Sequence, residues 1–353
     1  MLMVLTVVVA ASVMGLSYLS ITSVKLACST NLVRANRALY LAESGVQHAL
    51  WLVRTDASTL LSATAGSPVG PFQVDSDGGY YTIYAEPTGT DMEYLLTGQG
   101  TCDGITRTSS AVARVTNEFE DTLQDMGPSH YWRLGETSGS KAKDVAGNKN
   151  GKYKNNPQLG QLGALCGDTD TAVHFDGIDD YVDLKKLDMV GNRMTMLCWF
   201  QADDFNIEDL RFLSKADGIQ ADDHLWMLGT VSYGGQPVLR MRVKTWWSTT
   251  TVNASTGVLE AGQWTMATAT YDGLWLKLYK NAEQVGLGLT IGSIHQDDHV
   301  KAWIGGNPDG ESSRPFHGSI DEVAIFHRAL SSSEIEELHR ARLGKVEVVK
   351  WEQ

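Results

Sequence analysis

The chain opens on a run without any ionisable side chain, Met1 to Val24, reading MLMVLTVVVAASVMGLSYLSITSV. About 24 helical residues at roughly 1.5 Å each span the hydrocarbon core of a bilayer. Beyond it, Lys25 to about Arg54 continues without Pro, with Leu39, Leu41, Val46, Leu50 and Leu52 at helical spacing. The pattern predicts one helix over 1–55, apolar on all sides in its first half (1–24) and amphipathic in its second. Gly15 is its weak point, since glycine costs about 1 kcal/mol in a helix interior relative to alanine.

The period then drops to two. After a Ser, Thr, Ala and Gly-rich loop, Tyr80–Ala85, Glu93–Thr97 and Thr106–Val115 are β-prone runs separated by turn residues. They predict a small antiparallel meander over 56–117, packed on the amphipathic half of the helix. The acidic stretch EFEDTLQDMG reads as a linker over 118–129. From 130 to 342 many short strands at regular spacing predict a β-sandwich or jelly roll, and 343–353 reads as a C-terminal tail. A chain of 353 residues is longer than one core usually organises, which fits two folded units.

A net charge of -13 repels polyphosphate and excludes nucleic acid as a partner. Cys28, Cys102, Cys166 and Cys198 lie far apart, without a CxxC pair, so they offer no zinc site. In an exported protein they allow one or two disulfides; three pairings exist, of which Cys166 with Cys198 stays within one domain. The apolar run lacks the basic start and small-residue cleavage site of a secretory signal, so it is expected to stay with the protein. Lys25, Arg34 and Arg37 all follow the span. A basic leader, removed before Met1, is expected, because the positive-inside rule would otherwise hold the later domains in the cytoplasm.

The apolar run and its continuation ALYLAESGVQHAL resemble the N-termini of type IV pilins, PilX-like minor pilins especially, over residues 1–55. The resemblance implies a subunit held in the inner membrane before assembly that then self-associates through residues 1–55 into an extracellular helical filament. Such pilins commonly carry Glu at the fifth mature position, where this chain has Leu5. That departure motivates the alternative, a membrane-anchored glycan-binding protein that does not polymerise.

Further along, HYWRLGETSGSKAKDVAGNKNGKY, AVHFDGIDDYVDL, MTMLCWFQA, QWTMATATYDGLWLKLYKN and FHGSIDEVAIFHRALSSSEIEEL resemble, in order, the motifs of laminin G-like, concanavalin A-like domains. The expected fold class is thus an α+β pilin module followed by an all-β concanavalin A-like sandwich. The expected function is a filament subunit displaying that sandwich toward a surface glycan or protein ligand. The second resemblance also implies a structural calcium ion joining the FDG loop to the IDE strand, through Asp176 with the Gly177 carbonyl and Asp321. Asp144 and Glu136 are weaker additions on the same oxygen chemistry. The competing reading has Asp176 and Asp321 capping turns.

Catalysis is not expected. Glycoside hydrolysis needs two facing carboxylates, and Asp321 and Glu322, being adjacent, should point to opposite faces of a strand. Glu334, Glu336 and Glu337 belong to a helix capped by Ser331–Ser333, and no GxSxG elbow occurs. Asp222-Asp223-His224 and Asp297-Asp298-His299 have metal-ligand composition but read as solvated loops, and the histidines read mostly as surface groups. Trp132, Trp199, Trp264 and Trp275 read as core. Trp246 and Trp247, adjacent on a strand and followed by hydroxyl residues, offer a glycan-stacking surface; subunit packing or edge protection is the competing reading. At Asn281-Ala282 the second family often has Asn-Gly, and alanine there suggests another turn type.

Overall fold

The computed structural model describes residues 2–55, 60, 63–74, 78–90, 92–308 and 314–352, with side chains of the first helix described from Ser12 to Arg54. Helix α1 runs from Leu2 to Thr55 and passes Gly15 unbroken. The chain divides into two compact units, Met1–Thr116 with Lys345–Gln353, and Asn117–Gly344.

In the first unit α1 lies on an antiparallel sheet of β1 (Val69–Gln73), β2 (Tyr80–Pro87), β3 (Glu93–Cys102), β4 (Ile105–Thr116) and a last strand, β21 (Lys345–Glu352), in that order. Val46, Ala49, Leu50 and Val53 bury the helix's apolar face against Ile83, Leu96, Ala111, Ala113 and Val115. The approach is close because β3 carries two glycines. A Cβ at Gly98 would overlap the Ala42 carbonyl oxygen, and one at Gly100 that of Ala38.

Before Ala38 the helix has no such cover. Val13, Met14, Leu16, Leu19, Ile21, Val24, Leu26, Leu32 and Val33 are all exposed. The hydroxyls of Ser17, Thr22 and Thr30 turn back onto the carbonyls of Val13, Tyr18 and Leu26, so they present little unsatisfied polarity along this stretch. Among the described residues no helix is long and apolar enough to cross a membrane. Side chains of residues 1–11, the first part of the expected 1–24 span and including Leu5, lie outside the described residues.

Residues 343–353 are not a loose tail: Lys345 pairs with Thr116 and Glu352 with Ser110, making β21 the edge neighbour of β4. The alternating KVEVVKWE has strand periodicity, and Val346 and Val348 add to the core under α1. The expected 118–129 linker is likewise replaced, over most of its length, by helix α2 (Phe119–Asp125) in the second unit. Phe119 and Leu123, one turn apart, are buried with Tyr131, Trp199, Ile335 and Leu338. Burial of each contributes about 1.5–3 kcal/mol, while Asp121 between them stays exposed.

The second unit contains β5 (His130–Trp132), β6 (Lys141–Ala142), β7 (Gly151–Lys154), β8 (Gln158–Leu162), β9 (Thr171–Asp176), β10 (Tyr181–Lys185), β11 (Met194–Ala202) and β12 (Arg211–Ala216). After them come β13 (His224–Tyr233), β14 (Gln236–Lys244), β15 (Thr249–Asn253), β16 (Thr265–Tyr271), β17 (Trp275–Lys280), β18 (Glu283–Leu289), β19 (Ala302–Ile304), β20 (His317–Phe326) and helix α3 (Ser332–Ala341). They form two sheets, ordered β15-β14-β13-β12-β19-β10-β7-β6 and β18-β17-β16-β11-β20-β9-β8, with β5 also paired to β20. Their inner faces share one core, where Phe200 of β11 stacks on Phe212 of β12 with ring centres 4.1 Å apart. Ser331 caps α3 and exchanges hydrogen bonds with Glu334.

All four cysteines are free thiols, so the Cys166–Cys198 pairing is not formed; Cys198 is buried in the core and its burial pushes the thiol's pKa well up. The β17–β18 connection keeps the tight two-residue form despite Ala282: Asn281 and Ala282 both take positive φ, 50° and 69°, the type I′ signature. Ala282 is held there by packing against the layer of Phe119 and Trp199.

Gly100→Ala is expected to destabilise the protein by about 1–3 kcal/mol, because helix or sheet must retreat from the new methyl group. Urea unfolding of the full chain measures this, and an unchanged midpoint would mean that α1 and β3 have room to separate.

Candidate functional site

Strand β20 lies between β9 and β11 and carries two of the second unit's buried acids, Asp321 and Glu322. Trp199 pairs with Asp321 but Leu197 pairs with Ala324, so two residues of β20 bulge against Cys198. Glu322, in the bulge, has φ 52°. The bulge cancels the alternation that would send Asp321 and Glu322 to opposite faces, and both are buried beside the same layer. Glu322 accepts from the Tyr131 hydroxyl, and its Oε1 lies 3.4 Å from Arg133 Nε. Arg133 also bonds Asp168 at 2.6 Å, Asp170 at 2.7 Å and Glu120. Asp321 Oδ2 accepts from the Ala164 N–H at 2.8 Å, while its Oδ1 has no partner.

Several carboxylates therefore share one guanidinium. Burial, helped by the charge of Asp170, pushes Asp321 up to about 8. Burial and then Asp321 raise Glu322 well above the carboxylate range. With both acids buried, no sugar reaches them, and their arrangement is that of a structural cluster rather than a cleft.

The five expected calcium ligands are not gathered in one place. Register sets Asp176 opposite His317, four residues before Asp321 on β20, which is about 13 Å along a strand. Asp176 Oδ1 instead accepts from the N–H groups of Ile178 and Asp179, with Gly177 at φ 71° making the turn. It groups with Asp179 and Asp180, their ligand oxygens within 4.8 Å of one another. Asp180 is pushed up to about 6, by burial first. Asp144 holds a turn: against the upward push of burial, hydrogen bonds from His130 and the N–H groups of Tyr131, Gly147 and Lys149 keep it down to about 2. Glu136 accepts from Lys143 N–H and from the Tyr153 hydroxyl at 2.6 Å. Burial first, then its hydrogen bond to Glu136, raises the pKa of Tyr153.

Asp222-Asp223-His224 is solvated only in part: Asp222 is exposed and Asp223 half-buried. Asp223 closes a short turn, and His224 begins β13 fully buried, its pKa lowered to about 4 by burial and then by Arg211 and Arg242. Asp297-Asp298-His299 is a loop cluster, with His299 Nδ1 3.1 Å from Asp297 and 3.2 Å from Asp298.

Trp132 and Trp199 are core and Trp264 is partly buried, but Trp275 is 37% exposed. Trp246 and Trp247 sit in the turn between β14 and β15 rather than on a strand, and both are open, at 66% and 81%. Trp246 meets His295 edge-on with ring centres 4.7 Å apart, and Trp247 lies over Gly292. Leu289 pairs with Trp275, and Ile291 beside Gly292 is exposed too. The two turns thus bring an open aromatic and aliphatic surface together at the edge formed by β15 and β18. Adjacency in sequence hints at this for Trp246 and Trp247; nothing local marks Trp275 as part of it.

Residues 176–336 match the Laminin_G_3 family model, described as the Concanavalin A-like lectin/glucanases superfamily, and this part of the chain is a concanavalin A-like jelly roll. No curated protein matches the sequence. Among solved structures, the chain is similar to domain 4 of an extracellular GH43 arabinanase from Geobacillus stearothermophilus, in complex with arabinotriose. The identity is 19% and the TM-score 0.45, covering 60% of this chain and 98% of that one. It is similar also to Trypanosoma rangeli sialidase, with 12% identity, a TM-score of 0.44, and 76% and 45% of the two chains covered. A third is the botulinum neurotoxin serotype D ligand binding domain in complex with N-acetylneuraminic acid, at 12% identity and TM-score 0.45, covering 63% and 52%. The chain spans about half the length of the last two.

Asp321 keeps its proton in the fold up to about pH 8 but loses it near pH 4 when unfolded, so stability falls as pH rises through that window. Each pH unit is worth up to about 1.4 kcal/mol. Urea midpoints at pH 5 and pH 8 should show the fall, and Asp321→Asn should flatten it; an equal slope in the variant would assign the effect to other groups.

Proposed function

We propose that the chain is a filament subunit which self-associates through residues 1–55 and displays a glycan-binding sandwich. The observation that carries this is the exposed apolar stretch of α1 between Ser12 and Val33, with hydroxyls turned onto its own carbonyls. So large an apolar surface, interrupted among charged side chains only by Lys25, calls for cover. Identical helices packed side by side supply it, in heterologous contacts that extend as a helix of subunits. On this reading the segment rests in the inner membrane before assembly, and the filament is extracellular. Leu5 leaves the usual acidic contact to be replaced by apolar packing. Immuno-electron microscopy of sheared surface material should label fibres with antibody to the sandwich, and Leu19→Glu should abolish the label. Label confined to the membrane fraction of the wild type would overturn the filament reading and leave the anchored lectin-like protein.

Glycan binding is assigned to Trp246 and Trp247. Both indoles are open, and Ser248, next in the chain, is exposed beside them. Stacking of this kind is worth about 0.5–1.5 kcal/mol per ring, so each Trp→Ala change should weaken binding on a glycan array up to about tenfold with the far-UV spectrum unchanged. Binding that persists in the double variant would sink the assignment. Calcium, on the same reading, is held at the FDG loop by Asp176, beside Asp179 and Asp180, whose ligand oxygens lie with its own within 4.8 Å of one another. Excess calcium should then raise the urea midpoint of the wild type and leave Asp176→Asn unmoved; no rise in the wild type would remove calcium from this site.

A further inference from the structure

On the outer face of the second sheet, three neighbouring strands bring two imidazoles and a carboxylate together. In β9 the core-facing Val173 and Phe175 flank His174, which therefore points outward. Its cross-strand partner is Ser319 of β20, on the same face as His317, so the two histidines are diagonal neighbours, with ring centres 6.1 Å apart. Asp203 follows β11 directly, and its N–H donates to the His317 carbonyl, which sets Asp203 beside His317 on the other side. His174 Nε2 lies 3.0 Å from Asp203 Oδ2, and His317 Nε2 lies 3.5 Å from the same oxygen.

The donor atoms are disposed for a metal. His317 Nδ1 lies 2.9 Å from Asp204 Oδ2, and with an N–H donating there its Nε2 faces Asp203. Either a proton or a metal ion on Nε2 satisfies that contact with the carboxylate. Asp204 thus stands where an outer carboxylate orients a metal-binding histidine. His174 Nε2 lies within hydrogen-bond distance of Asp203 Oδ2 while its Nδ1 has no partner, so an ion on Nε2 would take the place of that one hydrogen bond. Donors bound to one tetrahedral ion at 2.0–2.2 Å lie about 3.4 Å apart, and the two distances to Asp203 bracket that value. All three ligand atoms fall within 4.8 Å of one another.

We propose that His174, His317 and Asp203 bind a divalent late transition metal of the zinc class, with Asp204 as the positioning residue. Two imidazoles and one carboxylate suit such an ion better than calcium, which prefers oxygen. The site is partly open, with side-chain exposures of 21%, 33% and 44% for His174, His317 and Asp203, which leaves the fourth position to water. The ion would pin the start of the β11–β12 connection to the edge of β9.

The test uses the full chain, stripped with chelator, equilibrated with zinc, desalted and assayed by elemental analysis; cobalt substitution gives a visible d–d band as a second readout. One zinc per chain is expected in the wild type and in His299→Ala. His174→Ala and His317→Gln should lose both the ion and the cobalt band while keeping a folded far-UV spectrum, and Asp204→Asn should weaken binding about 10–100-fold. A wild type that retains no zinc, full retention in both histidine variants, or loss in His299→Ala alone would each overturn the proposal.

Discussion

A half-buried guanidinium shared among too many acids is the constraint around which the sandwich is organised. Arg133 follows β5 directly, and its partners come from α2, from the 168–170 loop and from the bulge of β20. Of these partners only Glu322 is fully buried, so it depends on Arg133 the most. Correct closure therefore demands that a helix, a loop and two strands arrive together. The positive φ of Glu322 is a strained conformation for a non-glycine residue, and the cluster holds it in place.

The same cluster explains why β5, only three residues long, pairs with β20 at all. His130, Tyr131 and Trp132 oppose Ile325, Ala324 and Val323. Trp132 enters the central core, and Tyr131 reaches Glu322 on the other side of the sheet. One short strand thereby serves the apolar interior and the acidic layer at once, through the simple alternation of its side chains.

Local periodicity made much of this legible. The long helix, the runs at Tyr80, Glu93 and Thr106, and the capped C-terminal helix all announce themselves by spacing. What stayed hidden depended on distant partners. KVEVVKWE becomes a strand because β4, far back in the chain, offers it an edge. EFEDTLQD becomes a helix because Phe119 and Leu123 find Trp199, a signal masked by the acids between them. The separation of Asp176 from Asp321, and the meeting of His174 with His317, both follow from the register of β9 on β20, which a motif list does not contain. The bulge that turns Asp321 and Glu322 to one side is equally silent in an alternating sequence.

The second unit begins one residue after β4 ends and finishes one residue before β21 begins, and Thr116 and Lys345 are cross-strand partners. Their Cα atoms are thus about 4.5–5.5 Å apart, as in any antiparallel pair. An entire domain has been spliced into what would otherwise be an ordinary hairpin turn, the kind of position where insertions are best tolerated. The helix-and-sheet unit can thus be read as a socket: lineages could exchange, enlarge or delete the inserted domain without touching the register of the sheet that holds it.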